Sequence, residues 1–132
     1  MSLELEADTY CFACGKDNPF GLHMTFHDEG EDYVCRWQPQ PHHQGWAKIL
    51  HGGLVSTLLD EVMTWRLVSR GKHVVTAEMT VRLKKPTPLD QELTVRARIT
   101  SQRRRLYETE AELLLPDGTV TATATAKFIE AS

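Results

Sequence analysis

The sequence predicts an α+β domain in which one long central helix is wrapped by a curved antiparallel sheet of five to six strands. Two observations predict it: a mid-chain segment repeats apolar residues at helical spacing, and everything after that segment alternates apolar and polar residues with period two. A chain of 132 residues has the size of one domain. We therefore predict a single domain over residues 1–132.

The predicted helix runs from Leu54 to about Val68, and Gly71 supplies a stop signal after it. Only a narrow polar stripe interrupts its apolar surface, formed by Ser56, Thr57, Asp60, Glu61 and Thr64. A helix that is apolar around most of its circumference is usually buried. We expect it to be the central element of the core.

The other elements follow from alternation and turn signals. Residues 1–21 are predicted to be irregular, and residues 38–50 to be a loop rich in Pro, Gly, His and Gln. The predicted strands cover residues 22–26, 33–37, 75–83, 93–100, 107–113 and 120–128. The predicted connections between them are the acidic run 28–32 and the segments 85–88, 101–103 and 116–118.

Composition narrows the class of protein. A content of 41% hydrophobic and 25% charged residues excludes a disordered chain, and a net charge of −3 gives no reason to expect nucleic-acid binding. No apolar run approaches the ~18 residues of a membrane span, no secretory leader is recognisable, and three cysteines are an odd number. We expect a reduced, cytoplasmic protein that binds neither nucleic acid nor membrane.

The charge is unevenly distributed along the chain. Residues 1–35 carry eight acids and one base, whereas residues 82–105 carry eight bases and two acids. The basic excess fits either a site for a small polyanion or solvated strand faces.

The segment His51-Gly52-Gly53 immediately precedes the predicted helix. Glycines there allow close approach of a ligand to the backbone, and free amides at a helix start favour an oxygen that becomes negative. Asp60 lies about two turns further along, on the only polar face. Oxyanion donors and a carboxylate are two of the parts needed to hydrolyse an acyl group.

Residues 51–61, His-Gly-Gly-Leu-Val-Ser-Thr-Leu-Leu-Asp-Glu, resemble the signature of hotdog-fold acyl-CoA thioesterases of the 4-hydroxybenzoyl-CoA and phenylacetyl-CoA type. Cys11-Phe12-Ala13-Cys14-Gly15 with Asn18-Pro19-Phe20-Gly21-Leu22 is similar to an N-terminal motif of one branch. Gln44-Gly45-Trp46, the Lys85-Pro86 turn, and the Asp117-Gly118 turn before an Ala-rich strand also match. The resemblance implies a hotdog fold and a homodimer formed by continuing the sheet, sometimes a dimer of dimers. It also implies active sites at the dimer interface.

The resemblance assigns roles to individual positions. Gly52 matches the residue whose amide polarises the thioester carbonyl, with Gly53 beside it. His51 matches a His that supports this loop or contacts the thioester region. Asp60 matches the catalytic carboxylate, which acts as nucleophile or as general base on water. Thr64 matches a position where some members carry a hydroxyl that orients water.

Two positions, Gly45 and Glu61, depart from the family pattern. Some members carry Asn where this chain has Gly45, and the side-chain amide of Gln44 is the available substitute. Glu61 follows Asp60 directly, but adjacent helical residues point ~100° apart. The spacing favours Asp60 as the reactive acid and a structural or interface role for Glu61.

Substrate contacts are predicted from residue type. Coenzyme A carries phosphates, and Lys84, Lys85, Arg103 and Arg104 lie at predicted strand ends where they can bind them. Trp46 and Trp65 are candidates to line an acyl pocket or to pack in the core.

Cys11 and Cys14 have the spacing of half a zinc site. The further candidate ligands, Cys35, His23, His42 and His43, are irregularly spaced, and His42 and His43 are expected to be exposed or near the pocket mouth. We therefore predict a buried, unligated cysteine pair, no metal and no cofactor.

The expected function is hydrolysis of an acyl-CoA thioester to the free acid and CoA. The alternatives are a hotdog dehydratase of 3-hydroxyacyl thioesters, which uses a different motif, and a non-catalytic acyl-CoA-binding module.

Overall fold

A computed structural model describes residues 5–131. Residues 1–4 of the predicted irregular segment, and Ser132, lie outside the described residues. Within residues 5–131 one α-helix packs against a six-stranded antiparallel sheet, which confirms the predicted fold class. A short 3₁₀ helix (Pro41–His43) lies within the loop predicted over residues 38–50. The elements are β1 (His27–Glu29), β2 (Asp32–Trp37), α1 (Gly52–Val68), β3 (Val74–Leu83), β4 (Leu93–Arg103), β5 (Leu106–Leu114) and β6 (Val120–Glu130).

The strands lie in the order β1-β2-β4-β5-β6-β3, and every neighbouring pair is antiparallel. The ten-residue strand β3 therefore forms one edge, and the three-residue strand β1 forms the other. A long edge strand leaves backbone donors and acceptors free to pair with another chain.

Helix α1 is the centre of the core, as predicted. Its side chains Leu58, Leu59, Val62, Met63 and Leu67 have no exposed surface. The sheet covers them with its inward-facing residues, among them Ala122, Ala124 and Ala126 of β6, whose short side chains leave room for the helix. The helix ends where Gly71 (φ +80°) and Lys72 donate to the carbonyls of Val68 and Leu67, a Schellman ending that only glycine accommodates without strain.

The predicted strand over residues 22–26 is wrong. His23 has a φ of +54°, which interrupts an extended strand, and β1 begins only at His27. The amides of Leu22 and Met24 instead donate to the carbonyls of Phe12 and Ala13, both at 2.9 Å. The apolar alternation therefore anchors the N-terminal segment to the core rather than adding a strand.

Two turns differ from those predicted: the first is shorter, and the second is shifted along the chain. In the acidic run only Gly30 (φ +84°) and Glu31 turn, because the flanking residues pair as strands. Strand β4 continues through the predicted turn at 101–103, and the chain reverses at Arg104, which has a φ of +58°. Alternation of polar residues at a solvent-exposed strand end resembles a turn in sequence, which explains the error.

Arg66 is a buried charge that the apolar pattern of α1 conceals. Its side chain has no exposed surface, yet the guanidinium binds Asp28 at 3.2 Å and the carbonyl of Gly30 at 2.6 Å, and lies 5.0 Å from the centre of the Tyr33 ring. The hydrogen bond from Arg66 is the main reason why the pKa of Asp28 lies below its ordinary value. This contact fastens the β1–β2 hairpin to the end of the helix.

None of the described helices is both long and apolar enough to cross a membrane.

Candidate active site

The start of α1 presents one free backbone donor. The Nδ1 atom of His51 accepts the amide of Gly53 at 2.9 Å, and the His51 carbonyl accepts the amides of Leu54 and Val55. The hydrogen bonds found among residues 5–131 include none from the Gly52 amide. Gly52 therefore offers an unsatisfied N–H at the positive end of the helix, whereas Gly53 does not.

A cleft of about 680 Å³ opens beside this helix start. Most of its lining is apolar, and two lysines contribute to it; the lining residues are Gly45, Trp46, Ile49, Leu50, His51, Gly52, Val55, Leu83, Lys84, Lys85, Pro86 and Thr87. Trp46 is 84% exposed and Leu83 is 57% exposed, so a substantial apolar surface here is uncovered. Such a surface commonly marks a ligand or protein interface.

The loop before the helix packs closely against His51 at Gly45. A side chain at Gly45 would place its Cβ 3.3 Å from the Cα of His51, which is tighter than ordinary packing. The carbonyl oxygen of the Gln44 side chain accepts the amide of Lys48 at 3.2 Å. Gln44 therefore stabilises the loop, and its amide oxygen is not free for a substrate.

Asp60 is half-buried and is held by a residue that the sequence did not reveal. Its Oδ1 atom accepts the hydroxyl of Thr76, on β3, at 2.7 Å. Thr64 donates its hydroxyl to the backbone carbonyl of Asp60 at 2.9 Å. Thr76 looks like any outward polar residue of an alternating strand, so no sequence signal distinguishes it.

Gly52 and Asp60 do not meet within one chain. Eight residues of α-helix separate them, which is about 12 Å along the axis. Asp60 is accordingly absent from the residues that line the cleft. An amide and a carboxylate acting on one thioester must each lie about 3 Å from the reacting group.

Glu61 lies on a different face of α1 from Asp60, as helical geometry predicts. Its Oε1 atom accepts the indole N–H of Trp65 at 2.8 Å and lies 3.8 Å from the Sγ atom of Cys11. Trp65 in turn stacks on Phe26 with ring centres 6.0 Å apart, and it does not line the cleft.

The four predicted basic contacts fall into two groups. Lys84 and Lys85 line the cleft, whereas Arg103 and Arg104 lie at the β4–β5 turn. Through β5 and β6 that turn aligns with the Val75 end of β3, about 26 Å from Leu83 at the cleft end. One chain therefore brings only the lysines to the cleft.

Other bases of the same segment pair with acids. Arg96 binds Glu112, and Arg98 binds Asp32 at 3.0 Å, on the outer face of the sheet. The hydrogen bond and charge of Asp32 also raise the pKa of Arg98. Part of the sequence asymmetry is thus neutralised when the acidic and basic segments pack together.

The prediction that His42 and His43 are exposed or near the pocket mouth is wrong for His43, which is buried and does not line the cleft. His43 is 7% exposed, its Nδ1 atom accepts the amide of Gln40 at 2.9 Å, and its ring lies 4.9 Å from that of Trp37. Burial lowers its pKa, with a smaller contribution from the neighbouring His42. Its carbonyl accepts the amide of His51, so His43 stabilises the loop that precedes α1.

The prediction for the cysteines also needs correction. All three are free thiols, but only Cys35 is buried; Cys11 and Cys14 are half-buried. The structure places Glu61 beside that pair. The sequence did not indicate this contact, because Glu61 lies fifty residues from Cys11 along the chain.

One long helix packed against a six-stranded antiparallel sheet is the architecture of hotdog-fold proteins. The chain belongs to the thioesterase superfamily, because the family model described by that name matches residues 47–122, more than half of its length.

Similar proteins agree with this assignment. Acyl-coenzyme A thioesterase 13 of Homo sapiens is 29% identical over 82 residues, which are 61% of this chain and 59% of that protein. The chain thus spans about three fifths of the length of this curated relative.

Solved structures share the fold. A crystal structure of a thioesterase superfamily protein superposes with a TM-score of 0.86 at 24% identity, over 92% of this chain and 60% of the other. A hypothetical thioesterase from Streptococcus pneumoniae, solved with coenzyme A, gives a TM-score of 0.76 at 19% identity, over 81% and 87% of the two chains.

Proposed function

We propose that this protein hydrolyses an acyl-CoA thioester to a free acid and CoA. The observation that carries the proposal is the free Gly52 amide at the positive end of α1, facing a largely apolar cleft that two lysines help to line. Membership of the thioesterase superfamily, a curated acyl-CoA thioesterase relative and a fold neighbour solved with coenzyme A support it.

In this proposal the Gly52 amide stabilises the negative charge that develops on the thioester oxygen. Gly53 cannot take this role in the same way, because His51 accepts its N–H. His51 and Gly53 instead fix the turn that exposes the Gly52 donor. Leu83 lies close to Gly52 and limits the space on that side.

Asp60 supplies the nucleophile or the general base. As a base it takes a proton from water, the resulting hydroxide attacks the carbonyl, and the departing CoA thiolate regains a proton. As a nucleophile its carboxylate displaces the thiolate to form an anhydride, which water then hydrolyses. Thr64, one turn away, presents hydroxyl lone pairs on the same side of the helix, and Thr76 holds the carboxylate.

Two copies of the chain are needed to complete this site. If the exposed edge of β3 (Val74–Leu83) pairs with itself antiparallel about its midpoint, Thr76 of one copy lies near Val81 of the other. Asp60 is bonded to Thr76, and Val81 is two residues from Leu83 at the cleft. A homodimer joined through β3 thus brings the carboxylate of one chain toward the Gly52 amide of its partner.

Lys84 and Lys85 are proposed to bind the CoA phosphates, because they lie in the cleft and pair with no acid among residues 5–131. Arg103 and Arg104 lie at the β4–β5 turn, level with the far end of β3, and a partner in this arrangement brings that end of its sheet toward the cleft. Trp46 and Leu83 then provide the apolar surface for the acyl group. The three free thiols fit the reducing cytoplasm.

The test is release of free CoA across a panel of aryl-CoA and alkyl-CoA substrates, with the Asp60→Asn variant as reference. We expect hydrolysis to fall at least ~100-fold in Asp60→Asn, because the amide can neither attack nor accept a proton from water. Asn retains an oxygen that can accept the Thr76 hydroxyl, so the fold should persist. Glu61→Gln, the matched control on the other face of α1, should be far milder.

Unchanged turnover in Asp60→Asn would refute the assignment of this residue. Conversion of a 3-hydroxyacyl-CoA to an enoyl product without CoA release would indicate the dehydratase alternative. Tight acyl-CoA binding with no release from any substrate would indicate a binding module.

A further inference from the structure

Three potential metal ligands converge where the N-terminal segment crosses α1. The Sγ atoms of Cys11 and Cys14 and a carboxylate oxygen of Glu61 all lie within 4.8 Å of one another. Among residues 5–131 no other group of three or more His, Cys, Asp or Glu side chains meets this condition. The cluster joins residues fifty positions apart in sequence.

The separation of Cys11 from Glu61 is close to that of two ligands on a tetrahedral zinc ion. With Zn–S near 2.3 Å and Zn–O near 2.0 Å, two ligands of a tetrahedral ion lie about 3.5 Å apart for a sulfur–oxygen pair. The Cys11 Sγ and Glu61 Oε1 atoms are 3.8 Å apart, so a shift of a few tenths of an ångström brings them into place. All three residues are half-buried, so water can reach the cluster.

The loop that carries the two thiols is tightly built. The amide of Gly15 donates to the carbonyl of Cys11 at 2.8 Å, so the chain closes a turn between the two cysteines. A Cβ at Gly15 would lie 2.6 Å from the Cys11 and Thr9 carbonyl oxygens, which only glycine avoids. The Cys-x-x-Cys-Gly sequence therefore holds both sulfurs on one side of a fixed turn.

The orientation of Glu61 is also fixed before any ion binds. The indole N–H of Trp65 donates to its Oε1 atom at 2.8 Å, as outer hydrogen bonds do for metal-ligating carboxylates. Catalysis by Asp60 does not require an acid at position 61, whereas coordination of a metal ion does.

We propose that Cys11, Cys14 and Glu61 bind a zinc ion, with water as the fourth ligand. Two thiolates and one carboxylate are ligands that zinc accepts in tetrahedral sites. The ion would fasten the N-terminal segment to α1 one residue from Asp60.

The experiment measures zinc directly, so its result does not depend on hydrolysis. The reduced full-length protein is equilibrated with zinc sulfate in the presence of a phosphine reductant and desalted, and its metal content is measured. We expect about one zinc per chain, lost in Cys14→Ser and strongly reduced in Glu61→Gln. Cobalt(II) in place of zinc should give a thiolate-to-metal charge-transfer band in the ultraviolet.

Two matched controls accompany these variants. Cys35→Ala removes the third cysteine, which is buried elsewhere, and Glu108→Gln removes an acid from β5; both should keep one zinc. Glu61→Gln retains an oxygen for the Trp65 indole, so its loss of metal would not reflect a collapsed fold. Circular dichroism of each variant verifies this.

The proposal fails if the reduced protein retains no more zinc than Cys14→Ser. It also fails if a Cys11–Cys14 disulfide persists under the reductant, or if Cys35→Ala loses the metal as completely as Cys14→Ser does.

Discussion

The separation of Gly52 from Asp60 leads to a decisive experiment on the composition of the site. Eight helical residues place them about 12 Å apart along α1, whereas both must lie about 3 Å from one thioester. If the site uses Gly52 of one chain and Asp60 of its partner, two different inactive subunits can restore one another. If each site lies within one chain, they cannot.

The perturbation is a mixed dimer of two defective chains. One carries Asp60→Asn, and the other carries Lys84→Glu with Lys85→Glu, which removes the phosphate-binding charge from the cleft. Each lost charge-assisted hydrogen bond costs about 1.5–3 kcal/mol, so the double reversal should lower kcat/KM at least ~100-fold. In the mixed dimer one site then combines an intact cleft with an intact Asp60, and the other site carries both defects.

The assay follows CoA release by the mixed dimer, co-expressed with two affinity tags and purified over both. We expect about half of the wild-type kcat/KM, because one of two symmetric sites is intact. Each parent dimer, carried through the same purification, should stay near 1% or below. A purified mixed dimer with no more activity than its parents would refute the shared site.

Two further predictions concern Thr76 and Asp28. Thr76→Val should lower kcat about 10-fold with little change in KM, because it removes the hydroxyl that positions Asp60; Thr76→Ser should restore the rate, and equal losses in both variants would contradict this role. Urea unfolding between pH 5 and pH 2 tests Asp28, whose pKa is lowered in the folded state mainly by Arg66. Its stabilising contribution is present above the unfolded value near 3.8 and is lost as pH falls through the lower folded value, so wild type should lose more stability than Asp28→Asn over this interval. Parallel pH curves for the two proteins would show that the ion pair does not stabilise the fold.

The elements that depend on local pattern were predictable from the sequence. The apolar repeat of α1 and the alternation of β3 to β6 determine which faces are buried, because periods of 3.6 and 2 follow from backbone geometry alone. The predicted Pro116-Asp117-Gly118 turn is confirmed, because its residue types are themselves a local signal and Gly118 adopts the left-handed φ of +90°. The prediction at 101–103 was wrong because polar residues at an exposed strand end carry no information about where the strand stops.

Contacts between distant segments were not predictable. Asp28 with Arg66, Thr76 with Asp60, and Cys11 with Glu61 are respectively 38, 16 and 50 residues apart, and no period links them. The burial of His43 beneath Trp37 likewise depends on how a loop folds back.

The sequence by itself determined the fold class and the position of the glycine amide and the carboxylate on one helix, because spacing along a helix is fixed at 1.5 Å per residue. Only the tertiary structure decided which of these groups can meet. It leaves Gly52 as the free donor, separates Arg103 and Arg104 from the lysines, and places Glu61 beside two thiols. Those outcomes depend on how the loops, the helix and the strands pack against one another, and the periodicity of the sequence does not encode that packing.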